Sequence, residues 1–242
     1  MSPAQATLRR CKVYRQSFPM TEVALPASSL RNREVARWVR NHRMVVDVRS
    51  GEDLAVAIAA GVHPARMTVH VDGMGDSDLR AIVNLVPGRI AVSSMAQIAV
   101  LTTAVDQTQG IVIRVTDGGV GLPFDSTELE AAVDMVVADK CLSLVGLHGD
   151  VGGQTHDFVS YPAAIGHMVT AMGEIRWSHK VLLTRLGLGG GRAVPSGDWA
   201  VELPCLATQI DESLDAACAT MRYPRPLVAI SPGAAIVGQV AA

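Results

Sequence analysis

The chain has 242 residues, of which 49% are hydrophobic, and a formal net charge of −2 at pH 7. A chain of this length buries one large core, as one α/β domain or as two small ones. No apolar run reaches the roughly 18 residues of a membrane span, and no apolar stretch follows Arg9, Arg10 and Lys12 as in a secretory signal, so we expect a cytoplasmic protein without a membrane partner.

Charge and cysteine content argue against two further classes of protein. The densest basic stretch, residues 31–43, falls on one predicted helix, which we interpret as a solvated face. No stripe of Lys and Arg indicates nucleic acid, so we expect none as a partner. The cysteines are widely spaced and form no CxxC, so we expect reduced thiols rather than a zinc site or a disulfide framework. They are Cys11, Cys141, Cys205 and Cys218.

The predicted elements alternate along the chain. A polar helix over residues 4–15 comes first, and the stretches between the later strands carry apolar residues at helical spacing, such as Leu54 and Ile58. Three pairs resemble helix starts, namely Ser50 with Asp53, Ser94 with Gln97, and Asp125 with Glu128. Short β-branched runs predict eight strands, over residues 22–25, 44–48, 67–70, 89–92, 111–115, 143–148, 181–188 and 227–230.

This alternation predicts the fold. Apolar strands joined by crossover helices are typical of a parallel sheet that is covered on its outer face. Eight such units within 242 residues favour a closed (β/α)8 barrel, the TIM barrel, over a doubly wound open sheet. We therefore predict a single barrel domain over residues 1–242, with its ligand site on the loops that follow the strands.

Three of those loops carry groups that suit a ligand. The sequence GLGGG at 187–191 ends the seventh strand, where glycine amides can bind a phosphate, although a plain turn has the same composition. The sequence SPG at 231–233 follows the eighth strand, and phosphate sites in such barrels commonly use the loops after strands seven and eight. The loop at 148–157 holds two His and two Asp, but its spacing is not helical, and we favour a structural role over a metal site.

Together these segments resemble the fold-type III pyridoxal-phosphate decarboxylases, most closely the actinobacterial diaminopimelate decarboxylases, over nearly the whole chain. VDVRSGEDL at 46–54 is similar to the family's D-x-x-S/T-x-G-E-L, and LVGLH at 144–148 to its L-V-G-L-H. SPGAAI at 231–236 stands where the family has E-P-G-R-A-I. The resemblance implies a pyridoxal-binding barrel of the alanine racemase and ornithine/diaminopimelate decarboxylase type. The cofactor-binding positions that it implies are Asp47, Arg114, His148, Gly152, Gly189, Gly190, Gly191 and Gly233.

Two positions of the implied catalytic centre depart from the family's pattern. Ser28 stands where the family has the lysine that forms the Schiff base with pyridoxal phosphate, and a shifted register puts Pro26 there instead. Asp150 stands at the ring-stacking histidine of the family's H-x-H-I-G-S, and Gly153 stands at its serine. The resemblance therefore implies a family scaffold that has lost groups which perform the chemistry.

The loop after the eighth predicted strand also departs from the family's pattern. Ser231 replaces the glutamate that pairs with the pyridine nitrogen, and a serine cannot keep that ring protonated as an electron sink. Ala234 replaces the arginine that grips the phosphate. The resemblance also implies a β-domain after the barrel and an active site that spans a dimer. We expect a barrel without that β-domain, pairing as a homodimer or as a heterodimer with a complete relative.

Three functions stay open on the sequence, and we favour the first. In the first, the chain is a non-catalytic relative that binds a phosphate-bearing small molecule at glycines 189–191. In the second, it is a working pyridoxal-phosphate decarboxylase or racemase that uses another lysine. Lys140 and Lys180 precede predicted strands and so lie at the opposite end of the barrel from the ligand-binding loops. The third lysine of the chain is Lys12.

The third function is a different chemistry, or a partner-binding role, on the same scaffold. Carboxylates and imidazoles at a barrel mouth can transfer protons or bind a metal. The residues that would do so are Asp47, His148 and Asp150.

Overall fold

The computed structural model of the chain describes residues 3–152, 158–190 and 198–237. Within them, eight short strands pair side by side in parallel. The first strand pairs with the second at Ala24 and Val45 and with the last at Glu22 and Ala229, so the sheet closes on itself. The predicted (β/α)8 barrel is confirmed, and the alternative of an open sheet is wrong. The strands are β1 (Glu22–Pro26), β2 (Val45–Val48), β3 (Met67–His70), β4 (Arg89–Val92), β5 (Gln109–Thr116), β6 (Leu142–Asp150), β7 (Arg185–Gly189) and β8 (Leu227–Ile230).

Helices cover the outside of this barrel and alternate with its strands. A two-residue strand, Leu122–Pro123, pairs with the end of β5, and 3₁₀ turns at Ala27–Arg31 and Pro64–Arg66 follow β1 and precede β3. No helix of the described ranges is long and apolar enough to cross a membrane. The helices are α1 (Pro3–Ser17), α2 (Arg33–Asn41), α3 (Gly51–Ala59), α4 (Asp76–Val83), α5 (Met95–Ala104), α6 (Thr127–Ala138), α7 (Tyr161–His179), α8 (Trp199–Met221) and α9 (Ala234–Val237).

Serine side chains begin several of these helices. Ser50 and Ser94 each accept a hydrogen bond from the amide three residues later, at 3.1 and 3.4 Å, as the sequence predicts. The third predicted start is wrong by one residue. Ser126 caps α6, because Asp125 lies outside the helix in the left-handed region with a φ of 58°.

The seventh strand begins later than the sequence predicts. The prediction covers residues 181–188, whereas β7 begins at Arg185. Lys180 ends α7 in a left-handed conformation, and residues 181–184 lead from that helix into the strand. Leu183 is buried in this connection, so it contributes to the apolar pattern without belonging to the strand. An apolar run alone does not show where a buried connection ends.

Alternation along the strands sorts side chains between the barrel interior and the helical layer. On β2, Val45 lines a cavity inside the N-terminal end of the barrel, and Asp47, two residues later, lies inside the C-terminal end. The intervening Val46 is fully buried in the apolar core. The barrel therefore has polar groups inside both of its ends. We call the end formed by the C-terminal ends of the strands the mouth and the opposite end the base.

Candidate functional site

The register of β5, β6 and β7 brings charged side chains together at the mouth. Arg114 near the end of β5 is the register partner of His148 on β6, and His148 is in turn the partner of Gly187 on β7. Two residues further along β6, Asp150 pairs with Gly189. Because residues two apart point to the same side, Asp150 joins His148 inside the mouth. The barrel's register thus brings together residues that are far apart in sequence.

A buried ion-pair network centres on Arg114. Its Nη1 donates to Asp72 Oδ2 at 2.5 Å, and its Nη2 donates to Asp150 Oδ2. The second oxygen of Asp150 lies 3.1 Å from His148 Nε2. Only 12% of the Arg114 side chain and 11% of that of Asp150 are exposed, so water screens this network weakly.

The network keeps Asp150 ionised. Burial alone would raise the pKa of this carboxyl, but the hydrogen bond and charge of His148, followed by the charge of Arg114, outweigh it. The pKa of Asp150 therefore lies well below its usual range. The carboxylate of Asp150 is therefore already paired within the mouth.

A second pair of an imidazole and a carboxylate lies beside the first. His70 Nε2, at the end of β3, is 3.5 Å from Asp47 Oδ1, and the rings of His70 and His148 meet edge to face with centroids 5.0 Å apart. Burial lowers the pKa of His70, and the charge of Asp47 offsets this only in part.

The carboxyl of Asp47 is held in its ionised form. Burial alone would raise its pKa, but the charge and hydrogen bonding of His70 oppose this most strongly. Arg49 and a hydrogen bond from Ser231 act in the same direction, and the pKa of Asp47 lies below its usual value. Ser231, which follows β8, is therefore hydrogen-bonded to Asp47.

Several polar groups at the mouth lack partners among the described residues. His70 Nδ1 and Asp72 Oδ1 are buried and make no hydrogen bond there. The Arg49 side chain is exposed and forms no ion pair within those ranges. A buried polar atom without a partner costs about 1–3 kcal/mol, so an occupant that supplied hydrogen bonds would stabilise this site.

Glycines line the β7 side of the mouth. A Cβ on Gly187 would lie 2.4 Å from His148 Nδ1, and one on Gly189 would lie 2.1 Å from Asp150 Oδ1. Gly190 has a φ of +100°, and a Cβ there would lie 2.5 Å from a backbone nitrogen. Since no real side chain tolerates such contacts, glycine is required for β7 to approach β6 this closely.

The remaining predicted cofactor positions are only partly described. Gly233, after β8, has a φ of +50° and no atom within 4 Å of a built Cβ, so there is open space beside it. Gly152 follows β6 with a φ of 65°. Gly153 and Gly191 lie outside the described residues, as does the side chain of Ala234.

The lysines of the chain lie away from the mouth. Lys12 is exposed on α1, Lys140 is exposed just before β6, and exposed Lys180 caps α7 before β7. The last two therefore stand at the base end, and Lys180 Nζ donates to a backbone carbonyl at 2.5 Å. Ser28 lies half-buried in the 3₁₀ turn after β1, two residues beyond Pro26, which pairs with Asp47.

These residues do not fit a covalently held pyridoxal phosphate. Among the described residues, no lysine amine lies with the side chains at the mouth, whereas a Schiff base needs such an amine. Nor do the described residues bring three or more His, Cys, Asp or Glu side chains into a metal-binding group. What the mouth offers is hydrogen bonding and charge for a small polar ligand.

Sequence reasoning missed three residues of this site: Arg49, His70 and Asp72. Each stands at or just after the C-terminal end of a strand, which is the position where ligand-binding residues of such barrels occur. That signal was available, but Arg49 falls at a variable position of the motif at 46–54, and His70 and Asp72 belong to no motif.

Comparison with known proteins identifies related chains. Residues 5–238 match the family model described as "Pyridoxal-dependent decarboxylase, pyridoxal binding domain". The chain is 32% identical to the diaminopimelate decarboxylase of Actinosynnema pretiosum over 97% of this chain and 57% of that protein. It is 30% identical to the diaminopimelate decarboxylase of Mycobacterium bovis over 85% of this chain and 52% of that protein. The chain thus spans about half the length of these curated relatives.

Solved structures show the same fold. Diaminopimelate decarboxylase from M. jannaschii superposes with a TM-score of 0.80 at 15% identity, over 98% of this chain and 60% of that one. Lysine/ornithine decarboxylase from Vibrio vulnificus, complexed with cadaverine, gives a TM-score of 0.76 at 17% identity, over 96% of this chain and 62% of that one. Both likenesses concern the barrel.

Proposed function

The chain belongs to the pyridoxal-dependent decarboxylase family, and from that premise we propose that its barrel binds a small phosphate-bearing ligand without a covalent bond and does not catalyse decarboxylation. The observation that carries this proposal is the position of the lysines. Ser28 stands at the family's Schiff-base position, and the exposed Lys12, Lys140 and Lys180 lie away from the mouth. A hydroxyl cannot replace a primary amine in forming an imine.

Asp150 supports the same proposal. In the family a histidine at this position stacks on the cofactor ring, whereas Asp150 is an anion held by Arg114 and His148. A carboxylate offers no ring face for stacking, and turning it towards a ligand would leave buried Arg114 with Asp72 alone. Breaking a buried ion pair in this way costs about 3–5 kcal/mol.

The binding half of the proposal rests on groups that remain available at the mouth. Gly189 and Gly190 hold the end of β7 against β6 at the edge of the mouth, where backbone amides precede the predicted phosphate loop, and there is space beside Gly233. The exposed Arg49 guanidinium supplies positive charge beside Asp47 and Asp150. Amide and guanidinium donors of this kind suit a phosphate group.

Pyridoxal phosphate itself is the probe for this proposal. We expect it to bind reversibly, to keep the absorption spectrum of the free aldehyde and to leave completely on dialysis. Replacing Gly190 with Ala places a Cβ 2.5 Å from the backbone of Val151 in a left-handed conformation and should weaken binding by about ten-fold. Gly51→Ala is the matched control, because nothing lies within 4 Å of its Cβ.

Two results would contradict the proposal. One is a visible imine absorption band that survives dialysis. The other is release of carbon dioxide from diaminopimelate, lysine or ornithine by the purified chain with pyridoxal phosphate. If Gly51→Ala weakened binding as much as Gly190→Ala, the glycines after β7 would not be the binding site.

We also propose, from the family resemblance, that the chain pairs with a second copy of itself or with a complete relative. The mouth supports this because it lacks groups that the resemblance assigns to the catalytic centre, including the lysine at Ser28 and the glutamate at Ser231. Such a partner would carry its own catalytic groups. Co-purification of the tagged chain with a complete diaminopimelate decarboxylase tests the heterodimer, and the mass of the purified chain in solution tests the homodimer.

A further inference from the structure

The base of the barrel holds a second polar cavity, of about 480 Å³, at the opposite end from the mouth. Inward side chains at the starts of β1, β4 and β7 form part of its lining, and the turn before β3 forms another part. Its charged and polar side chains are Glu22, His63, Arg66, Arg89 and Arg185. Three guanidinium groups thus surround a single carboxylate.

Glu22 neutralises only part of this charge. Its Oε1 accepts a hydrogen bond from Arg89 Nη2 at 2.5 Å, and its Oε2 accepts one from Arg185 Nη1 at 3.2 Å. Arg89 Nε also donates to the Thr68 hydroxyl at 3.1 Å. Two positive charges share one negative charge, so this pairing leaves a net charge of about +1 before the third arginine is counted.

The third guanidinium, that of Arg66, has no carboxylate partner among the described residues. Its Nη1 donates to the backbone carbonyl of Arg43, which carries no formal charge. Next to it, His63 Nδ1 accepts a hydrogen bond from the Ala65 amide at 3.2 Å. A neutral His63 therefore carries its proton on Nε2 and has a donor available.

The positive charge continues into an adjoining cavity of about 210 Å³. His63 and Arg66 line both cavities, and Arg40 and Arg43 line the second one, which has no carboxylate in its described lining. Arg40 donates to the carbonyl of Ala60, so its charge is also unpaired there. Five arginines and one glutamate thus line a continuous region at one end of the molecule.

Gly88, just before β4, lets the turn that precedes β3 lie close to β4. A Cβ on Gly88 would lie 2.3 Å from the carbonyl oxygen of Ala65, and the Gly88 amide donates to the Pro64 carbonyl at 3.0 Å. Any larger residue would push the turn that carries His63 and Arg66 away from β4. The turn is therefore held against the strand that carries Arg89.

From this excess of unpaired guanidinium groups, we propose that the base of the barrel binds a small anion with two or more phosphate groups. Like charges held close together repel one another, and a bound anion relieves that repulsion. Guanidinium groups suit phosphate oxygens because they donate two parallel hydrogen bonds. A diphosphate offers two anionic groups, so that one can bind Arg66 while the other binds a further arginine that lines the same cavity or the adjoining one.

Calorimetric titration of the whole chain with inorganic pyrophosphate tests this site. We expect saturable binding of one pyrophosphate at the base, tighter than binding of orthophosphate or sulfate. Arg66→Gln should weaken it by about ten-fold, since one charge-assisted contact is lost. Arg80→Gln is the matched control, because it removes the same charge and exposed Arg80 bonds to Thr103, outside the cavity.

Two further measurements separate this site from its alternatives. Arg43→Gln, whose exposed side chain lines the adjoining cavity, should also weaken pyrophosphate binding and serves if Arg66→Gln fails to fold. Gly190→Ala should leave pyrophosphate binding at the base unchanged, which distinguishes it from binding at the mouth. No binding by the native chain, or equal losses from Arg66→Gln and Arg80→Gln, would show that the arginines only hold the barrel together.

Discussion

Asp150 shows how one residue changes what the barrel mouth can do. It is buried in the mouth, where it binds Arg114 and His148. The family resemblance of the surrounding motif drew attention to this position. It does not indicate the ion pair, because Arg114 and Asp72 come from other strands and loops, and their distances depend on the register of the barrel.

Replacing Asp150 with Asn tests this network through stability. We expect a loss of about 3 kcal/mol in the free energy of unfolding at pH 7, because a buried ion pair is broken. The pKa of Asp150 in the folded chain lies below the ordinary 3.8. The stabilisation that ionised Asp150 gives the folded state is therefore fully present above pH 3.8, and it is lost as the pH falls towards the pKa of the folded chain. The difference between native and variant chains should therefore shrink in acid.

Urea unfolding of both chains, at pH 7 and at pH values descending through 3.8, measures this difference. Asp134→Asn is the matched control, because its exposed carboxylate lies 3.7 Å from His179 and should change stability by less than about 1 kcal/mol. A variant as stable as the native chain at pH 7, or a difference that grows in acid, would show that Asp150 is not held by the network.

At the scale of elements, the sequence predicts the strands well and their ends less well. Strands of a parallel barrel are buried on both faces and so appear as continuous apolar runs, which is why all eight could be found. The same property hides the start of β7, because the connection over residues 181–184 is also apolar. The close contact between β6 and β7 could not be predicted, since glycine-rich sequences are equally typical of turns.

Gly146 on β6 tests that contact. A Cβ there would lie 2.2 Å from the carbonyl oxygen of Arg185 on β7, so Gly146→Ala forces the two strands apart. We expect it to lower the free energy of unfolding by about 2 kcal/mol, as overpacking does in other cores. Gly166→Ala, in α7 with nothing within 4 Å of its Cβ, should instead stabilise the chain by about 0.5–1 kcal/mol. Thermal unfolding of both variants checks these opposite changes in stability. If Gly146→Ala were as stable as Gly166→Ala, the spacing of β6 and β7 would tolerate a side chain.

At the scale of the whole molecule, the barrel carries two polar sites of different character. The mouth holds three carboxylates, two imidazoles and the guanidinium groups of Arg49 and Arg114, whereas the base has an excess of arginine. The alternation of strands and helices predicted the fold, and the family motifs predicted the lineage. They revealed nothing about the base, because Arg66, Arg89 and Arg185 belong to no motif and meet only when the barrel closes.

The central claim, that this barrel does not hold its family's cofactor covalently, is tested most directly by intact mass. The purified chain is incubated with excess pyridoxal phosphate, reduced with borohydride and measured by mass spectrometry beside a complete diaminopimelate decarboxylase treated identically. We expect the relative to gain one reduced pyridoxal phosphate and this chain to keep its native mass. A stoichiometric adduct on this chain at Lys12, Lys140 or Lys180 would contradict the account.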